Sequence, residues 1–128
     1  LVALKEREEQ GLFGQLARQL TERPPAAGLA LRNVAVADVA AGRVLPNQTV
    51  LVRGTRVVAV GPADRVAIPA GARVVDGRGK TLLPGLFDMH SHSSGPSDGI
   101  LNLAAGVTSV RDMGNVATLP DLRRRAET

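Results

Sequence analysis

The chain changes its rhythm near residue 82, and that change restricts the folds open to it more than any other feature. From 29 to 82, short Val-rich runs ("LALRNVAVADV", "TVLVRG", "RVVAVG", "ARVVDG") are separated by "AAGRVLPNQ", "GPADRVAIPAG" and "DGRGK". Runs of this length and partial alternation, punctuated by Gly, Pro, Asn and Asp, predict short strands in a small antiparallel sandwich-like or barrel-like sheet. "RGTR" at 53–56 predicts a tight hairpin, with Gly54 able to take positive φ. Asp38, Asp64 and Asp76 fall in turns, where short carboxylates bond to nearby backbone. No catalytic constellation occurs in this stretch, and it reads as structural.

After residue 82 the period lengthens. "LLPGLFDMHSH" predicts a buried strand entered through Pro84 and Gly85. "SDGILNLAA" predicts a helix capped by Ser97 or Asp98 and closed by Gly106 in the left-handed region. "VTSVRDMG" predicts a second strand, and "TLPDLRRRAE" a second helix with Pro120 in its first turn. Strand, helix, strand, helix is the pattern of a parallel α/β sheet with right-handed crossovers. Ahead of both regions, Leu12, Phe13, Leu16, Ala17 and Leu20 form one apolar stripe and predict a helix over 1–22. Pro24 and Pro25 stop it. The organisation is therefore an N-terminal helix and linker (1–23), a small β-domain (29–82) and an α/β segment (83–128), an α+β chain.

Composition narrows the function classes. The 128 residues hold two aromatic side chains, Phe13 and Phe87, so any core must come from Val, Leu, Ala and Ile. Base stacking on aromatic platforms is largely excluded. The formal charge of +4 comes mostly from scattered Arg, and Arg123, Arg124 and Arg125 spread around a helix rather than forming a stripe, so no nucleic-acid partner is expected. With no Cys there is no disulfide framework and no thiolate metal site. No apolar run is long enough to span a membrane. The start, "LVALKEREEQ", has no signal-peptide pattern, but it begins with Leu rather than Met and suggests truncation. The compartment stays open, with the cytoplasm slightly favoured, and so does the oligomeric state, a homo-oligomer among the options.

His90 and His92 are the only histidines. Side chains alternate along a strand, so Asp88, His90 and His92 are expected on one face at about 7 Å spacing, with Met89 and Ser91 on the other. Two neutral imidazoles on one face can grip one divalent cation. Asp88, one step deeper, could orient a ligand histidine from behind it. The carboxyl end of a strand is where parallel α/β folds place their sites. A His-x-His pair alone does not separate a metal site from two polar loop residues, and both readings stand at this point.

The stretch "VVDGRGKTLLPGLFDMHSH", followed by "LAAGVTSVRDMG", resembles the N-terminal part of the amidohydrolase superfamily, in particular its imidazolonepropionase-like and prolidase-like members. "LALRNVAVADVAAGRVLPNQTVLVRGTRVVAVGP" resembles the small β-domain that precedes the barrel in that family. The likeness runs from about residue 29 to about residue 122. It implies that 83–128 are the first two βα units of a (β/α)8 barrel, incomplete in this chain. It implies a divalent metal, usually zinc and often paired, with His90 and His92 as first-strand ligands and Asp88 behind them. The substrate would be a small-molecule amide or cyclic amide, hydrolysed at a C–N bond other than an ordinary peptide bond by metal-activated water. Asp112 would line the pocket or cap its strand.

The same resemblance calls for a bridging Lys or Glu, two more histidines and a catalytic Asp on later strands. A catalytic zinc normally has three protein ligands plus water, and this chain has no third histidine. The expectation is a fragment of an enzyme, inactive alone, whose catalytic base lies beyond Thr128. Two other readings remain: a non-catalytic interaction module with a vestigial His-x-His, and an ester or organophosphate hydrolase on the same scaffold.

Overall fold

The computed structural model describes residues 11, 12, 14–16, 18, 19, 21–92, 98–114 and 120. The chain is mixed α+β and rich in strands. It divides into two compact units, Glu22–Pro84 and a second comprising Gly85–Thr128 with Leu1–Thr21.

The first unit is one five-stranded sheet. β1 (Leu29–Asp38), β2 (Arg43–Arg53) and β3 (Arg56–Pro62) form an antiparallel meander. The hairpin between β2 and β3 turns through Gly54 and Thr55, and Gly54 has φ 56°, a conformation that costs a residue without Cβ little. β4 (Arg73–Asp76) and β5 (Thr81–Leu82) then pair with the other edge of β1, both parallel to it. The order is β3-β2-β1-β4, with β5 beside β4 along the same edge. The expected antiparallel sandwich is thus corrected to a single mixed sheet among the described residues. Apolar alternation fixes which face a strand buries but not its direction. The connection over 63–72 carries the chain from β3 to the far edge of β1, and such a crossover makes the pairing parallel.

β1 accommodates two successive partners because it is irregular at its middle. The register with β2 shifts between Leu31 and Val34, and Asn33 there has φ 58°. The Gly77 N–H donates to the Arg32 carbonyl (2.7 Å), and the Ala35 N–H donates to the Lys80 carbonyl (3.0 Å), so the turn at 77–80 spans the break. Asn33 Nδ2 donates to Asp76 Oδ1 (3.3 Å). That bond above all, then the backbone N–H and side chain of Arg78, hold the Asp76 carboxyl below the usual carboxylate range.

The core of this unit lies on β1 and β2, where Ala30, Val34, Val50 and Leu51 are buried. Gln48 and Thr49 are buried beside them, so four successive residues of β2 are buried. Each buried Val or Leu contributes roughly 1.5–3 kcal/mol relative to exposure. The Thr49 hydroxyl is sealed within this region with no hydrogen-bond partner among the described residues.

The second unit holds β6 (Leu86–Ser91), α1 (Asp98–Ala104) and β7 (Val107–Asp112), with β6 and β7 parallel. The strand–helix–strand order matches the sequence reading. The run 82–92 is not one strand, however. Thr81–Leu82 pair with β1, and β6 starts only at Leu86. Pro84 offers no N–H to a ladder, and a Cβ on Gly85 would overlap the Thr108 side chain on β7. Nor is β6 buried: Phe87 is 72% exposed, and Leu86 and Met89 are exposed as well.

α1 begins at Asp98, Ser97 lying outside the described residues, and ends before Gly106 at φ 81°. Residues 11, 12, 14–16, 18 and 19 are helical. Thr21 and Glu22, at the end of the predicted N-terminal helix, are not helical, and its remaining residues, including Phe13, Ala17 and Leu20, lie outside the described residues. So does the second predicted helix at 118–127, apart from Pro120.

Candidate metal centre

His90 is the penultimate residue of β6, and His92 is the first residue beyond the strand. The pairing of β6 with β7 steps from Asp88↔Val110 to Ser91↔Asp112, so β6 gains one residue on its partner. Such a bulge re-aims the side chains around it. The two imidazoles stand 5.4 Å apart between ring centres, with planes inclined at 61°. That is closer than the spacing of about 7 Å that regular alternation gives.

The separation bears on what the pair can hold. With a Zn–N bond of about 2 Å and tetrahedral angles, two imidazoles sharing one ion keep their ring centres about 5 Å apart. The donor set and its spacing therefore fit two sites of one coordination sphere.

Each strand end is closed by an aspartate. Asp88 Oδ1 accepts the His90 backbone N–H (3.0 Å). Asp112 Oδ1 accepts the Gly114 N–H in the same way (3.1 Å). Asp88 thus fixes the His90 main chain. Asp112 takes the strand-end role, and no group of three or more His, Asp or Glu residues able to hold a metal ion occurs among the described residues. Asp88 and Asp112 do not complete a three-ligand set.

One residue escaped the sequence reading. The Gly114 carbonyl oxygen lies 3.2 Å from His92 Nδ1, and the Met113 N–H donates to the Ser91 carbonyl (2.9 Å). A main-chain acceptor has no signature in sequence. The Asp-x-Gly spacing of "DMG" was the available signal, since Asp bonds readily to the N–H two residues on.

Comparisons with known proteins cover most of the described residues. No protein-family model matches the chain. The chain is 44% identical over 75 residues to the imidazolonepropionase of Anaeromyxobacter dehalogenans, a match covering 53% of this chain and 18% of that protein. It is 36% identical over 66 residues to the adenine deaminase of Rubrobacter xylanophilus, covering 52% of this chain and 11% of that protein. In structure it is similar to a candidate prolidase from Bifidobacterium longum, with a TM-score of 0.72 and 29% identity, over 81% of this chain and 28% of that one. The matched part is thus less than a third of each relative's length.

The curated relatives and the structural neighbour agree with the resemblance to the amidohydrolase superfamily.

Proposed function

We propose that this chain is the opening part of a metal-dependent hydrolase that cleaves amides or cyclic amides at C–N bonds other than ordinary peptide bonds. In this reading the β-domain of 29–82 precedes a (β/α)8 barrel whose first two units begin at residue 83. The observation that carries it is the imidazole pair of His90 and His92, 5.4 Å apart at the carboxyl end of a parallel strand. The names of the relatives, an imidazolonepropionase and a candidate prolidase, support the substrate class.

A divalent ion, zinc being one that imidazole donors suit, would supply Lewis acidity and an activated water when bound. His90 and His92 would hold it. Asp88, bonded to the His90 N–H, keeps that backbone from turning the ring away. The third ligand and the catalytic base would come from later strands. The exposed apolar side chains of Leu86, Phe87, Met89 and Val110 support that view, because a parallel sheet ordinarily has both faces covered.

The test is calorimetric titration of the chain with zinc. Binding that disappears in His90→Ala and in His92→Ala supports the metal reading. Heat unchanged by either substitution sinks it and leaves the β-domain as an interaction module.

A further inference from the structure

The contact between His92 and Gly114 determines more than position. A carbonyl oxygen can only accept, so a ring nitrogen 3.2 Å from it must carry the proton. In a neutral ring this contact calls for Nδ1–H, which leaves Nε2 as the nitrogen able to ligate a metal. A free neutral imidazole in water prefers the opposite form. His90 serves as the contrast, because its ring nitrogens have no hydrogen bond among the described residues. The carbonyl is aimed by a short chain of bonds. The Asp112 carboxylate takes the Gly114 N–H, the Ser91 carbonyl takes the Met113 N–H, and the two strand ends are tied one residue before His92.

We propose that Asp112 is a positioning residue for the metal centre: by closing the 112–114 turn it points the Gly114 carbonyl at His92 Nδ1 and so selects Nε2 as the metal-facing nitrogen. This rests on the metal reading above. Its first half, the tautomer, stands without any metal. Second-sphere partners of ligand histidines fix ring orientation and tautomer in this way, and their loss weakens metal binding about 10–100-fold.

The experiment uses the full chain labelled with nitrogen-15. Long-range proton–nitrogen correlation spectra at mildly alkaline pH distinguish Nδ1–H from Nε2–H rings. His92 is expected as Nδ1–H and His90 mainly as Nε2–H. Asp112→Ala should return His92 to the Nε2–H form, and Asp112→Asn, whose amide oxygen still accepts the Gly114 N–H, should retain Nδ1–H. On zinc addition the His92 Nε2 resonance should move, with affinity lowered about tenfold or more in Asp112→Ala and largely restored in Asp112→Asn.

A wild-type His92 found as Nε2–H overturns the proposal. So does a His92 tautomer unmoved by Asp112→Ala. If His92 keeps its Nδ1–H but zinc leaves both histidine spectra unchanged, the metal reading fails and the tautomer assignment survives, so the two failures are told apart.

Discussion

The rings of His90 and His92 stand 5.4 Å apart beside a bulge in β6, inclined at 61°, which brings them nearer than neighbours on one face of a regular strand, and on the metal reading proposed above both serve one ion. The chain should therefore bind zinc through both rings and lose binding when either is replaced by Ala. Two imidazoles make an incomplete sphere. The binding should be much weaker than that of four-ligand structural zinc sites, whose binding free energies reach about 10–16 kcal/mol. Calorimetry on the wild type and both variants checks the ranking.

Gly85 sets the spacing at the start of the same strand. A Cβ there would collide with the Thr108 side chain on β7. Gly85→Ala should destabilise the chain by about 1–3 kcal/mol, the usual cost of overpacking. Urea unfolding of Gly85→Ala, Thr108→Gly and the double variant gives the cycle. The double variant should recover most of the loss, and strictly additive effects would show that the two residues do not meet.

Thr49 carries the opposite kind of defect, a buried hydroxyl without a partner among the described residues. Thr49→Val keeps the shape and removes the group that lost its water. It should raise the unfolding free energy by about 1 kcal/mol, within the range for an unpaired buried hydroxyl. A fall in stability would mean that the hydroxyl is satisfied in solution.

Asp76 gives the first unit a dependence on acid. Its carboxyl is held below its ordinary value, chiefly by Asn33 and then by Arg78. A depressed folded-state pKa stabilises above the unfolded value, and that stabilisation is lost as pH falls through the folded value. The chain should thus lose part of its stability from about pH 4 downward. Asp76→Asn should flatten that limb, so that wild type and variant converge as the solution becomes more acidic. Thermal unfolding between about pH 2 and 7 is the measurement.

How much of this was legible beforehand differs from residue to residue. The turns announced themselves: Gly54 sits in the predicted hairpin, and Gly106 at φ 81° follows α1, because glycine at such points is a local requirement. The change from sheet to strand–helix–strand was likewise written in the spacing of apolar residues. The parallel course of β4 and β5 was not. "ARVVDG" reads the same whichever way its neighbour runs, and direction is decided by a crossover connection that has no pattern of its own. Within the site, residue identity disclosed the histidine pair. The role of Asp88 became specific only in three dimensions, where it bonds the His90 main chain rather than a ring. The Gly114 carbonyl was out of reach, since every residue has one.

The sheet of the first unit carries its own timetable. β1 pairs with β2, and β2 with β3, through neighbouring hairpins, whereas Leu29 must find Arg73 across all the intervening chain. Local contacts close with little loss of chain entropy, and distant ones close late. The meander should thus assemble first and offer the irregular edge of β1, around Asn33, as a template for β4 and the two-residue β5. The same asymmetry should persist in the folded protein as fluctuation. Amide protons of β4 and β5 should exchange with solvent through small openings, while those of β1 and β2 wait for global unfolding.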